Sequence, residues 1–292
     1  MRRLRTILLP LLVAFLWGSS FVLTKIALAE LGPLTIAFTR WLIATLAFVV
    51  FLPLQGQTPI VQRALRQDFL PFALLGLVGI SAFYSFQNLA LRYTTAVNVG
   101  LLINFCTVFI AVLSVLWLGE RLGRMAIVGI VLSFAGATLL GLPNGSFTLE
   151  EGHLLGDGLT LLAALCAAVY TVYGKRFVAR YPPAVVTGLA AAFGTLFLLP
   201  GAAWEGLVLP RSATVWAAVL TLGLGSGALA NFWWWRILQY MDAARAGAFI
   251  LVIPVVSTLL AVAILNEPMP PAAAVGGALV LLGVYLTQQS AD

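Results

Sequence analysis

Residues 96–120 read AVNVGLLINFCTVFIAVLSVLWLGE, and residues 243–267 read AARAGAFILVIPVVSTLLAVAILNE. Laid over one another without a gap, at an offset of 147, they agree at Ala96/Ala243, Gly100/Gly247, Ile103/Ile250, Val108/Val255, Leu113/Leu260, Val115/Val262, Leu118/Leu265 and Glu120/Glu267. Eight identities in twenty-five positions exceed what a shared apolar composition supplies, and the register extends to Tyr93/Tyr240, Gly129/Gly276 and Gly136/Gly283. Nearer the start of each half the offset becomes 150, pairing Lys25 with Lys175 and Pro33 with Pro183. The chain therefore reads as two copies of one unit, residues 1–142 and residues 150–288. Between them lies a polar linker, 143–154, with Pro143-Asn144-Gly145, Glu150, Glu151 and the only histidine, His153.

Composition decides the solvent. The chain is 62% hydrophobic and 9% charged, where a soluble domain carries about 25% charged residues. Apolar runs of roughly 18 residues recur along its length, each long enough as a helix to cross a hydrocarbon core of about 30 Å. In lipid every backbone amide must be satisfied within the protein, and the runs lack the polar alternation of barrel strands, so the expected class is all-α integral membrane. Ten transmembrane helices are drawn at 7–28, 33–54, 69–91, 96–118, 124–142, 155–177, 183–204, 214–238, 243–265 and 270–288. Five helices per copy is an odd number, so the second copy enters the membrane from the opposite side, giving two inverted five-helix repeats.

Charge tests that topology. With the N-terminus inside, the cytoplasmic side holds Arg2, Arg3, Arg5, Arg63, Arg66, Arg121, Arg124, Lys175, Arg176, Arg180, Arg236 and Arg245, and the other side only Lys25, Arg40, Arg92 and Arg211. Twelve against four places both termini in the cytoplasm and the chain in the cell inner membrane, with lipid rather than nucleic acid answering the net charge of +6. The run after Arg5 is longer than a signal-peptide core of about 7 to 15 residues and reads as an uncleaved first helix. Cys106 and Cys166 fall in apolar runs without metal or redox spacing, and read as core residues.

Polar side chains at bilayer depth are costly unless they face protein or water. Ser81, Tyr84, Ser85 and Asn88 share one helical face of span three, and Trp17, Ser20 and Thr24 one face of span one. Span four adds Asn104, Thr107 and Ser114, span six Tyr170 and Tyr173, span eight Asn231 and Trp234. The repeat relates Ser20 to Tyr170 and Tyr84 to Asn231. Singly, such residues are explained by interhelical hydrogen bonds; together they point to a cavity between the halves, as alternating access requires. Arg40, seven positions inside span two with Ala190 as its counterpart, either meets a substrate carboxylate, holds an outer gate, or snorkels to headgroups. The expected substrate-binding set is Trp17, Ser20, Arg40, Tyr84, Asn104, Tyr170, Asn231 and Trp234. Glu120 and Glu267 are expected to cap spans five and ten, and Pro254 to kink span nine. No acidic residue sits mid-span, which speaks against proton antiport through a cavity carboxylate, and no nucleophile has a histidine or carboxylate partner, so no enzyme is expected.

Trp17-Gly18-Ser19-Ser20-Phe21, Ala90-Leu91-Arg92-Tyr93-Thr94-Thr95-Ala96 with Gly119-Glu120-Arg121, and Ala243 through Pro254-Val255 to Glu267 resemble the EamA-type branch of the drug/metabolite transporter superfamily. The resemblance covers nearly the whole chain. It implies ten helices in two inverted repeats, a central cavity, and export of small metabolites such as amino acids or toxic compounds. Apart from the resemblance, no cofactor or metal is expected, and the chain is expected to act as a monomer or homodimer. Thr107 departs from the pattern, standing where the family often has proline. Two other functions compete: an exchanger or importer of nucleotide-linked or phosphorylated metabolites, which would want several basic residues in the cavity, and a non-transporting membrane scaffold or sensor.

Overall fold

The computed structural model describes residues 2–141, 153–265 and 273–289, and among them no strand occurs. The helices are α1 (Arg2–Ala27), α2 (Pro33–Leu54), α3 (Thr58–Gln67), α4 (Phe69–Gly76), α5 (Phe83–Ala90), α6 (Ala96–Leu102), α7 (Phe105–Leu118) and α8 (Arg124–Gly141) in the first part of the chain. After the linker come α9 (Leu154–Val178), α10 (Pro183–Glu205), α11 (Ala213–Thr221), α12 (Ala230–Leu238), α13 (Ala243–Ala248), α14 (Ile253–Leu265) and α15 (Ala273–Gln289). Several of these join end to end, so that the described residues form nine helical segments of 18 to 26 residues, long and apolar enough to cross a bilayer. The last helix, α15, is shorter at 17 residues. Large apolar side chains such as Leu46, Val49, Val50 and Leu54 on α2 point outward and exposed, as they must where lipid is the solvent.

Because lipid tails are as apolar as leucine, helix association here depends on close packing and interhelical hydrogen bonds rather than on escape from water. Two contacts illustrate this. Helices α8 and α15 cross at glycines: a Cβ on Gly136 would stand 2.6 Å from the carbonyl oxygen of Gly276, and a Cβ on Gly129 would overlap the carbonyl oxygen of Gly283. Ser133 sits between them and donates its hydroxyl to the Val280 carbonyl at 3.1 Å. Helices α2 and α10 meet through Thr45 and Thr195, whose hydroxyls share a hydrogen bond at 3.0 Å.

Two long segments change helix type midway. Between α4 and α5, Leu77–Ala82 runs as π-helix, and between α11 and α12 so does Leu222–Leu229. At the offset of 147 the first falls on Leu224–Leu229. Each holds a glycine at a close approach: a Cβ on Gly79 would overlap the Tyr170 ring, and one on Gly223 would lie 2.6 Å from the Ile43 Cβ. Widened turns of this kind recur at functional sites.

The segment Ala243–Ile264 contains a 3₁₀ stretch, Phe249–Val252, immediately before Pro254, as the missing proline N–H demands. The segment opposite breaks at the equivalent place, between α6 and α7, without any proline. There the amides of Asn104, Cys106 and Thr107 bond three residues back, to Leu101, Ile103 and Asn104. The Gly100 carbonyl, deprived of its usual amide, accepts the Asn104 side-chain amide at 3.0 Å instead. The Gly247 carbonyl is met from across the bundle by the Thr107 hydroxyl at 3.3 Å.

Two expectations need correction. Residues 55–68, which the spans drawn at 33–54 and 69–91 leave as a connection, are not a plain one: Thr58–Gln67 forms α3, amphipathic, with Ile60 and Val61 packed on the core and the arginines Arg63 and Arg66 exposed. Glu120 does not cap the helix that follows it. Its carboxylate reaches across the bundle to the start of α13, accepting from Ala243 N at 2.8 Å and Ala244 N at 3.3 Å, and pairs with Lys175 at 2.6 Å. Hairpin proximity, on which the expectation rested, loses to a lysine and two free helix N–H groups brought close by tertiary folding. Glu267 and the 143–152 part of the linker lie outside the described residues.

Candidate functional site

The expected site residues divide in two. Trp17, Arg40, Tyr84, Tyr170, Asn231 and Trp234 meet around the π-helical turn Leu222–Leu229, whose centre is Ser226. Trp17 on α1 donates its indole N–H to the Ser226 carbonyl at 3.2 Å and stacks at a tilt on Trp234, ring centroids 5.2 Å apart. Asn231, one turn beyond, gives its side-chain amide to the carbonyls of Ser226 at 3.0 Å and Gly227 at 2.9 Å. These are carbonyls that the change from π- to α-helix leaves short of donors. The Asn231 side-chain oxygen then accepts the Tyr170 hydroxyl of α9 at 3.4 Å, and the Tyr170 ring packs on Trp235 at 4.7 Å.

Arg40 enters from α2. Its guanidinium donates to the Ser226 hydroxyl at 2.9 Å, that hydroxyl donating onward to the Leu222 carbonyl at 2.8 Å. The guanidinium carbon stands 5.0 Å from the centre of the Tyr84 ring, a cation–π distance. Arg40 is 6% exposed, so it faces the bundle interior and does not snorkel. An arginine at the centre of a spanning helix costs about 2.5 to 3.5 kcal/mol on insertion scales. The tyrosine face and one hydroxyl offset part of that and supply no counter-charge.

Ser20 and Asn104 stand apart from this network. The Ser20 hydroxyl bonds its own helix, to Trp17 O at 2.6 Å, and Asn104 is occupied with Gly100 O as described above. Ser226 and Trp41 belong to the network and were not anticipated. Ser226 sits where the first half has Gly79, so the repeat gave it no polar partner, and the added turn of π-helix shifts the faces that an α-helical spacing would assign. Trp41 follows Arg40 directly, is 3% exposed and lies edge-on to Tyr84 at 6.3 Å. The surface grooves are of another kind: one lined by Leu74, Leu75, Val78, Trp117, Val169, Tyr170 and Tyr173 is apolar, as is one between α7 and α8.

Membrane-length helices surrounding a buried polar and aromatic network are the architecture of a multi-pass membrane transporter. The chain belongs to the EamA-like transporter family, which it matches over residues 4–142 and 154–288. It is 33% identical over 290 residues to a protein of Archaeoglobus fulgidus named an uncharacterized transporter, covering 97% of both chains. It is 30% identical over 273 residues to a protein of Streptantibioticus cattleyicolor named a probable terminal-alkyne amino-acid exporter, covering 92% of this chain and 89% of that one. A solved crystal structure shares its fold with a TM-score of 0.86 at 24% identity, over 97% of this chain and 96% of the other.

Proposed function

We propose that this transporter exports a small metabolite of amino-acid type by alternating access, between two inverted five-helix repeats spanning residues 1–142 and 150–288. The observation that carries the reading is the network at Ser226, because it ties α1, α2 and α5 of one unit to α9 and α12 of the other through groups that also offer aromatic faces and polar atoms. Alternating access needs such a site where two units meet. The family relationship supports transport itself, and the name of the Streptantibioticus relative supports an amino-acid-type cargo. The repeat draws support from the helix crossings. Gly129 against Gly283 and Gly136 against Gly276 are the same contact with the halves exchanged, and Thr45 meets its own counterpart Thr195. A two-fold axis between the units produces that pattern. A phosphorylated cargo is less well supported, since Arg40 is the one basic side chain in the network.

Transport is measured by loading proteoliposomes with radiolabelled amino acids and following counterflow. Asn231→Ala, which removes the acceptor of Tyr170 and two backbone hydrogen bonds, is expected to cut the rate by about tenfold, the worth of one or two buried hydrogen bonds, and Tyr84→Ala, which removes the ring facing Arg40, by a comparable factor, the worth of a desolvated cation–π contact of about 2 kcal/mol, both at unchanged membrane expression. Unaltered rates in both variants would make the network structural. Liposomes that move none of the twenty amino acids would remove the proposed cargo.

The same reading has both termini in the cytoplasm of an inner-membrane protein with ten crossings, α15 being the tenth. Alkaline phosphatase fused after Asp292 is expected to be inactive, and inserted into the 143–152 linker to be active. An active C-terminal fusion would dispose of both the orientation and the inverted repeat.

A further inference from the structure

Among the described residues Arg40 has no counter-ion. Each carboxylate among the described residues is engaged elsewhere: Glu30 with the amides of Arg211 and Ser212, Asp68 with Arg180 and Tyr181, Glu120 and Asp242 with Lys175, Asp157 with Thr94 and Asn98, and Glu205 with the Thr35 amide. A guanidinium offers five N–H donors, and at 6% exposure water cannot serve them all. The Arg40 Nε has no hydrogen-bond partner, and neither has the indole N–H of the next residue, Trp41. Both side chains lie against the Tyr84 ring. Two buried donors, one of them cationic, thus stand unanswered against one tyrosine ring, where natural interiors pair nearly every such group. The helix brings them there at a price in desolvation that the Tyr84 face and the Ser226 hydroxyl offset in part and an anion would offset further.

The geometry points to Arg40 as the carboxylate-recognition residue of the transport site, with Trp41 as a second donor and Tyr84 holding the guanidinium plane from one side. The inference rests on the proposed function and adds the part of the cargo that is bound. A carboxylate matches the planar fork of arginine. The ring of Tyr84 and the tilted pair Trp17 and Trp234 are the aromatic surfaces close by, so an apolar side chain on the cargo would have rings to rest on. Phosphate, with two charges, would call for a second cation, and the network holds none.

The test separates binding from transport. Purified protein is titrated at constant ionic strength with L-phenylalanine, L-phenylalaninamide and 3-phenylpropanoate, read by tryptophan fluorescence, and phenylalanine counterflow is measured in parallel. Wild type is expected to bind the two carboxylates at least about tenfold more tightly than the amide, the worth of a charge-assisted hydrogen bond. Arg40→Gln is expected to erase that preference, and Arg40→Lys to keep part of it. Ser226→Asp guards against a misfolded Arg40 variant, since it leaves Arg40 in place and sets a carboxylate beside it. This variant is expected to melt higher than wild type and to lose affinity for both acids. Equal binding of acid and amide by wild type, no binding of either acid, or full acid preference in Arg40→Gln would each overturn the inference. Carboxylate binding without phenylalanine counterflow would uphold the anion site and count against export of amino acids of this kind. Counterflow in wild type that Arg40→Gln leaves intact would do the reverse.

Discussion

Replacing Gly136 by leucine is expected to leave almost no folded protein in the membrane. The glycine lies where α8 crosses α15, and a Cβ built on it would come within 2.6 Å of the Gly276 carbonyl oxygen, 2.7 Å of the Val280 nitrogen and 2.9 Å of the Leu279 Cβ. Two of those atoms are backbone and cannot rotate away, so the helices must separate along the whole crossing. Separation breaks the hydrogen bond from Ser133 to Val280 and the dispersion contacts on which association in lipid depends. Overpacking a core costs typically 1 to 3 kcal/mol, and contact with backbone places this substitution at or above about 3 kcal/mol on that scale. Gly158→Leu is the control, because a Cβ there meets nothing within 4 Å. Yield of monodisperse protein after detergent extraction and its melting temperature give the readout. A Gly136→Leu variant that melts with wild type would mean the crossing is looser than described.

Glu120→Ala is expected to produce the second largest loss, and the double variant with Lys175→Met a smaller one. The carboxylate is 7% exposed and the ammonium 21%, and the same carboxylate closes two otherwise free N–H groups at the start of α13. Lys175 also donates to the Met241 carbonyl at 2.8 Å. Removing one partner of a buried ion pair costs about 3 to 5 kcal/mol because the other charge stays buried and alone. Partial exposure of Lys175 puts the expected value at the lower end of that range, a fall of the order of 5 to 10 °C in melting temperature for a chain of this size. Taking away both charges removes the penalty and leaves only the lost hydrogen bonds. A double variant less stable than Glu120→Ala would show that Lys175 contributes on its own, through the Met241 carbonyl and Asp242, rather than as the partner of Glu120. Wild-type stability in Glu120→Ala would show the contact to be without weight.

How much of this was legible beforehand differs from residue to residue. Span positions were, because length and hydropathy act on each segment separately: the expected 33–54 and 183–204 are met by α2 and α10 almost to the residue. The short helix α3 was overlooked, since Gly56, Pro59, Arg63 and Arg66 read as a connection while Ile60, Val61, Ala64 and Leu65 mark only one face. Of the candidate site, six of eight residues converge. Ser20 was drawn in by its helical face and its repeat partner Tyr170, and Asn104 by its polarity in span four; both turn out to bond their own segments, a use of serine and asparagine that spacing cannot distinguish from facing a partner.

The sequence by itself determined an all-helical membrane protein, and singled out Arg40 as a charge in an unusual place. Each of these follows from local facts: apolar length sets a span, and a charge is recognised by its residue type. Only the tertiary structure decided what Arg40 meets. Its neighbour Ser226 lies 186 positions away, on a π-helical turn whose extra residue rotates the faces beyond it, and its lack of a counter-ion among the described residues is a statement about where the other described carboxylates went. Likewise Glu120 and Glu267 are equivalent letters in the repeat, but the helix start that Glu120 serves, 123 residues on, is chosen by the packing of one half against the other.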